Sequence, residues 1–399
     1  MTTRERIVQA SRSNDLDGIL VTSPENFYYA TGVSPHQLSV SRIPGFAYAF
    51  LDLRPQQKDA IITMDYEAPA FSHLHDRLEV IAYDTWVGVK TETEWRSGQD
   101  LTHKTRLLTA LDQLKILIER RELTKARIGL EMKSIPVHYY QLLSQALPEI
   151  EWIDVSDDFI LARSVKTAPE IELYRDLCRA SDEALLAVSR QVAIGRSETE
   201  LIQIYRETCM ANGHVPSSWS MLGSGPYSSV LQLATDKTIR DGDCVRFDGG
   251  CEAGFQFYKT DFSRTWIIGQ ADPELIQLKQ VLVESQRKMI DAIKPGLRFS
   301  DLFRLGYESV KQHVPNYTRG HLGHSISLGP QTADAPLISA TEDRLIEPGM
   351  ILCVEVPFYM AGFNGFNIED MVVVTEGGCD VLTYRTPHYL PGEQGNPER

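Results

Sequence analysis

Five residues in the C-terminal half carry charge or an imidazole into places where the surrounding sequence is apolar. Asp248 and Asp261 lie in CVRFDGGCEAGFQFYKTDFSRTW, residues 244–266, where aromatic and β-branched residues broken by glycine give the pattern of a hairpin. His324 lies in RGHLGHSISLG, Glu355 in MILCVEVPFYM and Glu369 in GFNIEDMVVVTEGG. Singly, each has an ordinary structural role. His324 suits a hydrogen-bonded residue between glycines, Glu355 a strand end beside Pro357, and Glu369 with Asp370 a solvated turn. Asp248 suits a turn former and Asp261 a cap or a partner for Arg264. Yet a bare carboxylate is costly to desolvate, and one divalent metal centre accounts for all five positions together. Four carboxylates and one imidazole form a hard donor set suited to Mn, Co, Fe or Zn. They also exceed what one small ion needs, so two ions sharing carboxylates, with a water or hydroxide between them, spread the charge best.

Such a set must be positioned by strands. SISLG, MILCVEVPFYM, GFNIEDMVVVTEGG and DVLTY read as strands beside the hairpin. Helices are expected over about 170–190, from SETE onward (where Ser197 and Glu200 fit a capping box), over about 273–293 and over about 299–313. Two helix pairs framing a curved, mostly antiparallel sheet make an α+β domain. Before it, a helix over 4–14, strands at GILVTS, AYAFLDL, DAIITM and RIGLE, and helices from about 100–121 and 136–146 point to a smaller α/β domain. The boundary is expected near residue 160, giving domains 1–160 and 161–399. A chain of 399 residues exceeds one hydrophobic core.

A formal net charge of −14 argues against nucleic-acid or anionic-membrane partners. No run approaches the length of a membrane span, and MTTRERIVQASRSNDLDGIL lacks the apolar core of a secretory signal. Six cysteines without paired or C-x-x-C spacing read as free thiols in a reducing, cytoplasmic setting.

The order Asp, Asp, His, Glu, Glu resembles the pita-bread metallopeptidase superfamily, which includes methionine aminopeptidase, aminopeptidase P, prolidase and creatinase. The likeness runs along nearly the whole chain. RIVQASRSNDLDGILVTSPENFYYATGV resembles the creatinase-type N-terminal domain, RSVKTAPEIELYR the linker into the catalytic domain, and IKPGLRFSDL the turn between its helices. DFSRTW and EDMVVVTEGG are similar to two signatures of the catalytic domain. The resemblance implies two divalent ions, Mn before Co, Zn or Fe. Asp248 would be a terminal bidentate ligand, Asp261 and Glu369 bridging ligands, and His324 and Glu355 the remaining ones. It further implies a bridging hydroxide attacking an amide carbonyl, Glu355 shuttling a proton, and Ser263 and Thr265 orienting the aspartates. The implied activity is that of an Xaa-Pro dipeptidase or aminopeptidase acting on a short peptide or other small molecule, in a homodimer.

Three features depart from that pattern. The aspartates are 13 positions apart, slightly wider than usual, which a hairpin longer by one residue on each arm absorbs without turning either side chain over. Gln232 and Gln331 stand where such peptidases carry substrate-holding histidines, and glutamine offers only a neutral hydrogen bond. His321 and His214 are the imidazoles available as substitutes. These changes keep open a non-peptide hydrolase of the creatinase or ectoine-hydrolase type, a lyase, or a non-catalytic binding module on the same scaffold. The five intact candidate ligands count against the last. In the N-terminal half, SPHQLSVSRIPGF reads as a long connecting loop whose His36 and Arg42 are candidate substrate-recognition groups.

Overall fold

The computed structural model describes residues 1–98, 109–330 and 332–396. It divides into two compact units, Met1–Arg163 and Ser164–Arg399.

In the first unit six strands form one mixed sheet: β1 (Gly18–Val21), β2 (Tyr48–Asp52), β3 (Asp59–Met64), β4 (Leu78–Tyr83), β5 (Arg127–Leu130) and β6 (Glu151–Asp154). Their order is β4-β3-β2-β1-β5-β6, with β1–β5, β3–β4 and β5–β6 parallel. Helices carry the parallel crossovers, as short connections cannot, and Leu114, Leu117 and Ile118 of the helix Ala110–Arg120 enter the core beside Phe50 and Ile62. The helix expected from about 100 thus begins, among the described residues, at Ala110, capped by Thr109. The first helix stops at Ala10, and a 3-10 turn continues to Asn14 before Asp15 turns left-handed. The segment expected as a long loop is instead a short helix, His36–Ser41, followed by a 3-10 turn, Pro44–Phe46. Leu38 anchors that helix in the interior.

The second unit is α+β. Its main sheet holds β8 (Met221–Ser224), β9 (Cys244–Gly249), β11 (Phe262–Ile267), β12 (His321–Ser325), β13 (Asp334–Ser339), β14 (Ile351–Glu355) and β17 (Glu369–Val374), ordered β13-β12-β14-β17-β11-β9-β8. β18 (Cys379–Val381) adds to β17. Short ladders join β7 (Val215–Pro216) to β10 (Cys251–Glu252) and β15 (Phe358–Tyr359) to β16 (Gly365–Phe366). Every pairing in the main sheet is antiparallel. Helices Ala168–Ser189 and Glu198–Ala211 form one pair, Pro273–Ala292 and Phe299–Lys311 another. Thr167 with Glu170, and Ser197 with Glu200, close reciprocal capping boxes at two of them. Leu282, Met289, Leu302 and Val310 from the second pair pack with Leu352, Val354 and Val372 of the sheet.

Two local features differ from the sequence expectation. SISLG is not a strand beyond Ser325; the strand lies earlier, at His321–Ser325, because those residues find partners on both sides, in β13 and β14. Phe255 and Phe257 belong to the hairpin tip, not to its arm: Gly254–Gln256 is a 3-10 turn and Phe257 is left-handed.

Candidate metal centre

Strand register explains why residues more than 100 positions apart meet. Glu355 pairs with Glu369, Glu369 with Ser263, and Ser263 with Asp248, so one row crosses β14, β17, β11 and β9. Partners across an antiparallel ladder share a face, and strands lie about 4.8 Å apart. Asp261 is two residues before Ser263 and projects from the same face. His324 pairs with Cys353, itself two residues before Glu355, and joins that face from β12.

The hairpin keeps one register beyond its regular strands. Phe262 pairs with Gly249, Glu252 bridges Lys259, and the Ala253 amide donates to the Tyr258 carbonyl at 2.9 Å. The longer arms therefore leave Asp248 and Asp261 on one side. Gly250 is required here: a Cβ would stand 1.9 Å from the Thr260 carbonyl oxygen.

His321 and His324 are three apart, so a regular strand would send them to opposite faces. The β12–β13 register shifts between them, and Gly323, at φ +131°, supplies a conformation open mainly to glycine. Leu322 is thereby turned into the core, and both imidazoles reach the site with ring centroids 6.4 Å apart.

Asp248, Asp261 and Glu369 each place a carboxylate oxygen within 4.8 Å of the others, and all three are buried. His324 Nε2 lies 3.7 Å from Asp261 Oδ2 and 3.9 Å from Glu369 Oε1. Its Nδ1 is 3.0 Å from the Ser325 carbonyl, which only accepts, so Nδ1 carries the proton and the Nε2 lone pair faces two carboxylates. Asp261 Oδ1 is buried with no hydrogen-bond partner among the described residues. Burial and mutual repulsion raise the carboxyls of Asp261 and Glu369 well above the ordinary range. Burial also raises Asp248, against the opposing pull of Arg246. Burial alone would raise Glu355 too, but His321 and Arg319 outweigh it and hold that group low. His321 Nδ1 is 3.2 Å from Glu355 Oε1, and Arg319 Nη2 is 3.4 and 3.5 Å from its two oxygens. Buried carboxylate oxygens of Asp248, Asp261 and Glu369 converging beside the Nε2 lone pair of His324 are the donor set of a hard divalent ion, and the residues fit that group.

Other residues singled out in the sequence fall differently. Ser263 and Thr265 do not touch the aspartates. The Ser263 hydroxyl lies against the Phe247 and Asn367 carbonyls, and Thr265 exchanges hydrogen bonds with the backbone of Asn367. Asn367 does the orienting: its Nδ2 is 3.2 Å from Glu369 Oε2 and 3.4 Å from Asp248 Oδ2. One oxygen of Asp248 is further taken by Arg246 at 3.0 Å, which corrects the picture of a carboxylate open at both oxygens. Arg264 pairs with Asp370, not Asp261. His214 is engaged by Asp176 of helix Ala168–Ser189 at 2.8 Å, not by the acidic group. Gln232 is half-buried, two residues beyond Val230, whose carbonyl accepts from Arg246 at 2.7 Å. Gln331 lies outside the described residues. In the first unit, Arg42 ends the short helix in a left-handed conformation and pairs with the buried Glu25, while His36 opens that helix. Sequence reasoning passed over Asn367, Arg246, Arg319 and Cys353. The Cys353 thiol, 3.4 Å from the Asp261 carbonyl, also stands within 4.8 Å of His324 and Glu369, and burial keeps it protonated. Strand alternation could have flagged three of them: Arg246, Cys353 and Asn367 each lie two residues from a candidate ligand.

A pita-bread sheet whose inner face gathers acids and imidazoles defines a class of metal-dependent hydrolases. Residues 172–376 match the model of metallopeptidase family M24, and residues 4–165 that of the creatinase/prolidase N-terminal domain. The chain belongs to metallopeptidase family M24, with a creatinase-like N-terminal domain. It is similar to the Xaa-Pro dipeptidase of Pyrococcus furiosus, 24% identical over 382 residues, covering 95% of this chain and 97% of that one. The probable dipeptidase PepE of Mycobacterium tuberculosis is 31% identical over 230 residues, 57% of this chain and 60% of that one. Among solved structures, an Xaa-Pro dipeptidase from Bacillus anthracis superposes with TM-score 0.79 at 22% identity, covering 96% of both chains. No described helix is long and apolar enough to cross a membrane.

Proposed function

We propose that this enzyme is a two-ion hydrolase that cleaves a short peptide at an Xaa-Pro bond. The observation that carries the reading is the His324 lone pair facing the oxygens of Asp261 and Glu369 at 3.7 and 3.9 Å within a buried group of acids. The substrate class comes from the relatives named as Xaa-Pro dipeptidases. Asp248, Asp261, His324, Glu355 and Glu369 are the residues that would hold the ions, with Mn(II) the first choice for an oxygen-rich set. When bound, such ions polarise a carbonyl and lower the pKa of water.

The chain's own groups do the rest. Glu355, kept ionised by His321 and Arg319, is the group that accepts a proton and returns it to the leaving nitrogen. His321, 3.2 Å from Glu355, shares that proton and holds the carboxylate in place. Asn367 fixes the rotamers of Asp248 and Glu369. Gln232 offers a neutral amide toward substrate, which tolerates small non-peptide amides more readily than an imidazole tuned for a peptide leaving group. Five buried thiols and one half-buried thiol, all unpaired, support a reducing compartment, the cytoplasm. The homodimer is a further expectation, tested by light scattering at micromolar concentration.

The deciding experiment is an Xaa-Pro dipeptide assay at saturating Mn(II), on protein whose metal content is measured first. Metal-dependent turnover supports the assignment. Metal uptake without turnover on any Xaa-Pro dipeptide removes the peptide reading and favours a small amide or guanidino substrate. Failure to take up any divalent ion overturns the centre itself.

A further inference from the structure

A cavity of about 560 Å³ opens within the second unit, on the face of the main sheet opposite the metal centre. That volume is in the range of small-molecule sites. Its wall includes Arg264 and Asp370, which follow Ser263 and Glu369 along β11 and β17 and so project from the other face. Val283, Ile290 and Val381 give it an apolar side, and the helix Pro273–Ala292 adds Glu284, Arg287 and Asp291. Arg264 is fully engaged, donating to Asp370 and to the carbonyls of Ser263, Glu369, Thr383 and Thr386. Asp370 is taken by Arg264, Thr383 and Gln286.

Other groups are left open. Arg287 is exposed and makes no hydrogen bond or ion pair among the described residues, although Glu284 and Asp291 stand three before and four after it. Elsewhere on this chain's helices the same spacings close. Arg179 meets Asp176 at 2.6 Å and Glu183 at 3.4 Å, and Arg304 meets Asp301 at 3.0 Å. Glu284 is likewise unpaired among the described residues. Both charges act on Tyr389, which also lines the cavity: burial, then Glu393 and Glu284, pushes its hydroxyl up to about 12, against the pull of Arg287. His388 Nε2 lies 3.3 Å from Asp370 Oδ2, a carboxylate that only accepts, so that nitrogen carries the proton. The other nitrogen, Nδ1, is then a buried acceptor with no partner among the described residues.

A free guanidinium suits a carboxylate, while an unpaired carboxylate and a bare imidazole nitrogen suit an ammonium. Arg287 and Glu284 are three residues apart, about 4.5 Å along the helix axis, close enough for both opposite charges to sit on one small molecule. We propose that this cavity is a second binding site, which takes a free α-amino acid with an apolar side chain. The carboxylate meets Arg287, the ammonium meets Glu284 and His388 Nδ1, and the side chain packs on Val283, Ile290 and Val381. Arg264 Nη1 donates to the Glu369 carbonyl at 2.7 Å, so the wall of this cavity is joined to the strand that carries a candidate metal ligand. Free amino acids are what a dipeptidase releases. That link to product rests on the peptide reading above; binding by the metal-free chain does not.

The test is calorimetric titration of L-leucine into the full chain held in chelator, where no ion can draw the amino acid to the other face of the sheet. One molecule should bind with a Kd of ~0.1–1 mM, the scale of a ligand of about nine non-hydrogen atoms. N-acetyl-leucine lacks the ammonium and leucinamide lacks the carboxylate, and each should bind at least ~10-fold more weakly. R287Q and E284Q should weaken L-leucine by a similar ~10-fold. Both residues are exposed, so the variants should unfold at the wild-type Tm, and the two analogues decide without any variant. No L-leucine binding up to about 10 mM, equal binding of either analogue, or an unchanged Kd in R287Q overturns the site. Binding that requires Mn(II) places the amino acid at the metal centre; it overturns this site and leaves the peptide reading standing. Binding by the metal-free chain without Xaa-Pro turnover at saturating Mn(II) supports the site and removes only its link to product.

Discussion

Asp261→Asn should make the metal-free protein more stable while ruining its metal site. The substitution keeps shape and removes one charge from a buried group where carboxylate oxygens of Asp248, Asp261 and Glu369 lie within 4.8 Å. Two unit charges at that separation repel by about 3.5 kcal/mol at an effective dielectric near 20. Burial first, and then this repulsion, pushes the Asp261 and Glu369 carboxyls well above the ordinary range, so the metal-free protein escapes part of the cost by taking up a proton. That uptake caps the relief, so a net gain of about 1–3 kcal/mol near pH 8 is expected. For a unit of this size the gain corresponds to a rise of roughly 3–9 °C in Tm. The sign follows from linkage. A carboxyl whose folded-state pKa is raised destabilises the fold above that pKa, and the penalty fades as pH falls toward the unfolded value. The advantage of Asp261→Asn should therefore shrink from pH 8 to pH 5. Mn(II) affinity should fall by at least ~100-fold, about 2.7 kcal/mol. Calorimetric unfolding of chelator-treated protein and Mn(II) titration give both numbers. A metal-free variant less stable than wild type, or one that binds Mn(II) within about 3-fold of it, would refute the electrostatic argument.

Gly250→Ala should cost about 1–3 kcal/mol in urea unfolding and weaken Mn(II) binding, because its Cβ meets the Thr260 carbonyl at 1.9 Å and the ladder aligning Asp248 with Asp261 must shift. An unchanged urea midpoint would show that the close approach is not needed. Mn(II) uptake at neutral pH should release protons from the raised carboxyls, measured as a binding heat that varies with buffer ionisation enthalpy; identical heats across buffers would count against it. Lys279 and Glu393 form a fully buried pair, with Glu393 also accepting from the Ile267 and Leu390 amides at 3.0 and 2.8 Å. Lys279→Met should destabilise by about 3–5 kcal/mol, and adding Glu393→Gln should recover part of it; a double variant no better than the single one would mean that packing, not charge, sets the loss.

The candidate ligands were legible because each contradicts its surroundings: a carboxylate or imidazole in an apolar strand has few stable explanations. The helices of the second unit were legible from caps and period, as Ser197 with Glu200 illustrates. What escaped was whatever depends on register between distant strands. Nothing in GHLGHS announces the bulge that brings His321 and His324 to one side, since it is a register shift in the ladder between β12 and the distant β13. The resemblance gives Ser263 and Thr265 the task of orienting the aspartates, whereas the sheet hands it to Asn367, 119 positions from Asp248. In the first unit, the segment containing His36 and Arg42 looks loop-like by composition, yet burial of Leu38 is enough to fold it.

The clearest sign that the centre awaits a cation comes from comparing two adjacent residues, Glu369 and Asp370, on opposite faces of β17. Both are buried. On one face, Arg264 meets Asp370 Oδ1 at 2.7 Å, Thr383 donates to the same oxygen at 2.8 Å, and Gln286 donates to the other at 2.8 Å. Burial would raise Asp370, but Arg264 and His388 overcome it and drive the carboxyl far below the ordinary range. On the other face, among the described residues, Glu369 has Asn367 and the more distant imidazole of His324, and burial together with Asp261, Glu355 and Asp248 pushes it well above that range. The same strand and the same depth thus give opposite outcomes. A sheet that supplies a complete set of partners to Asp370 is able to do so for Glu369 as well. Among the described residues it supplies further acids and an imidazole nitrogen there instead, and the charge and coordination of a divalent ion match that set.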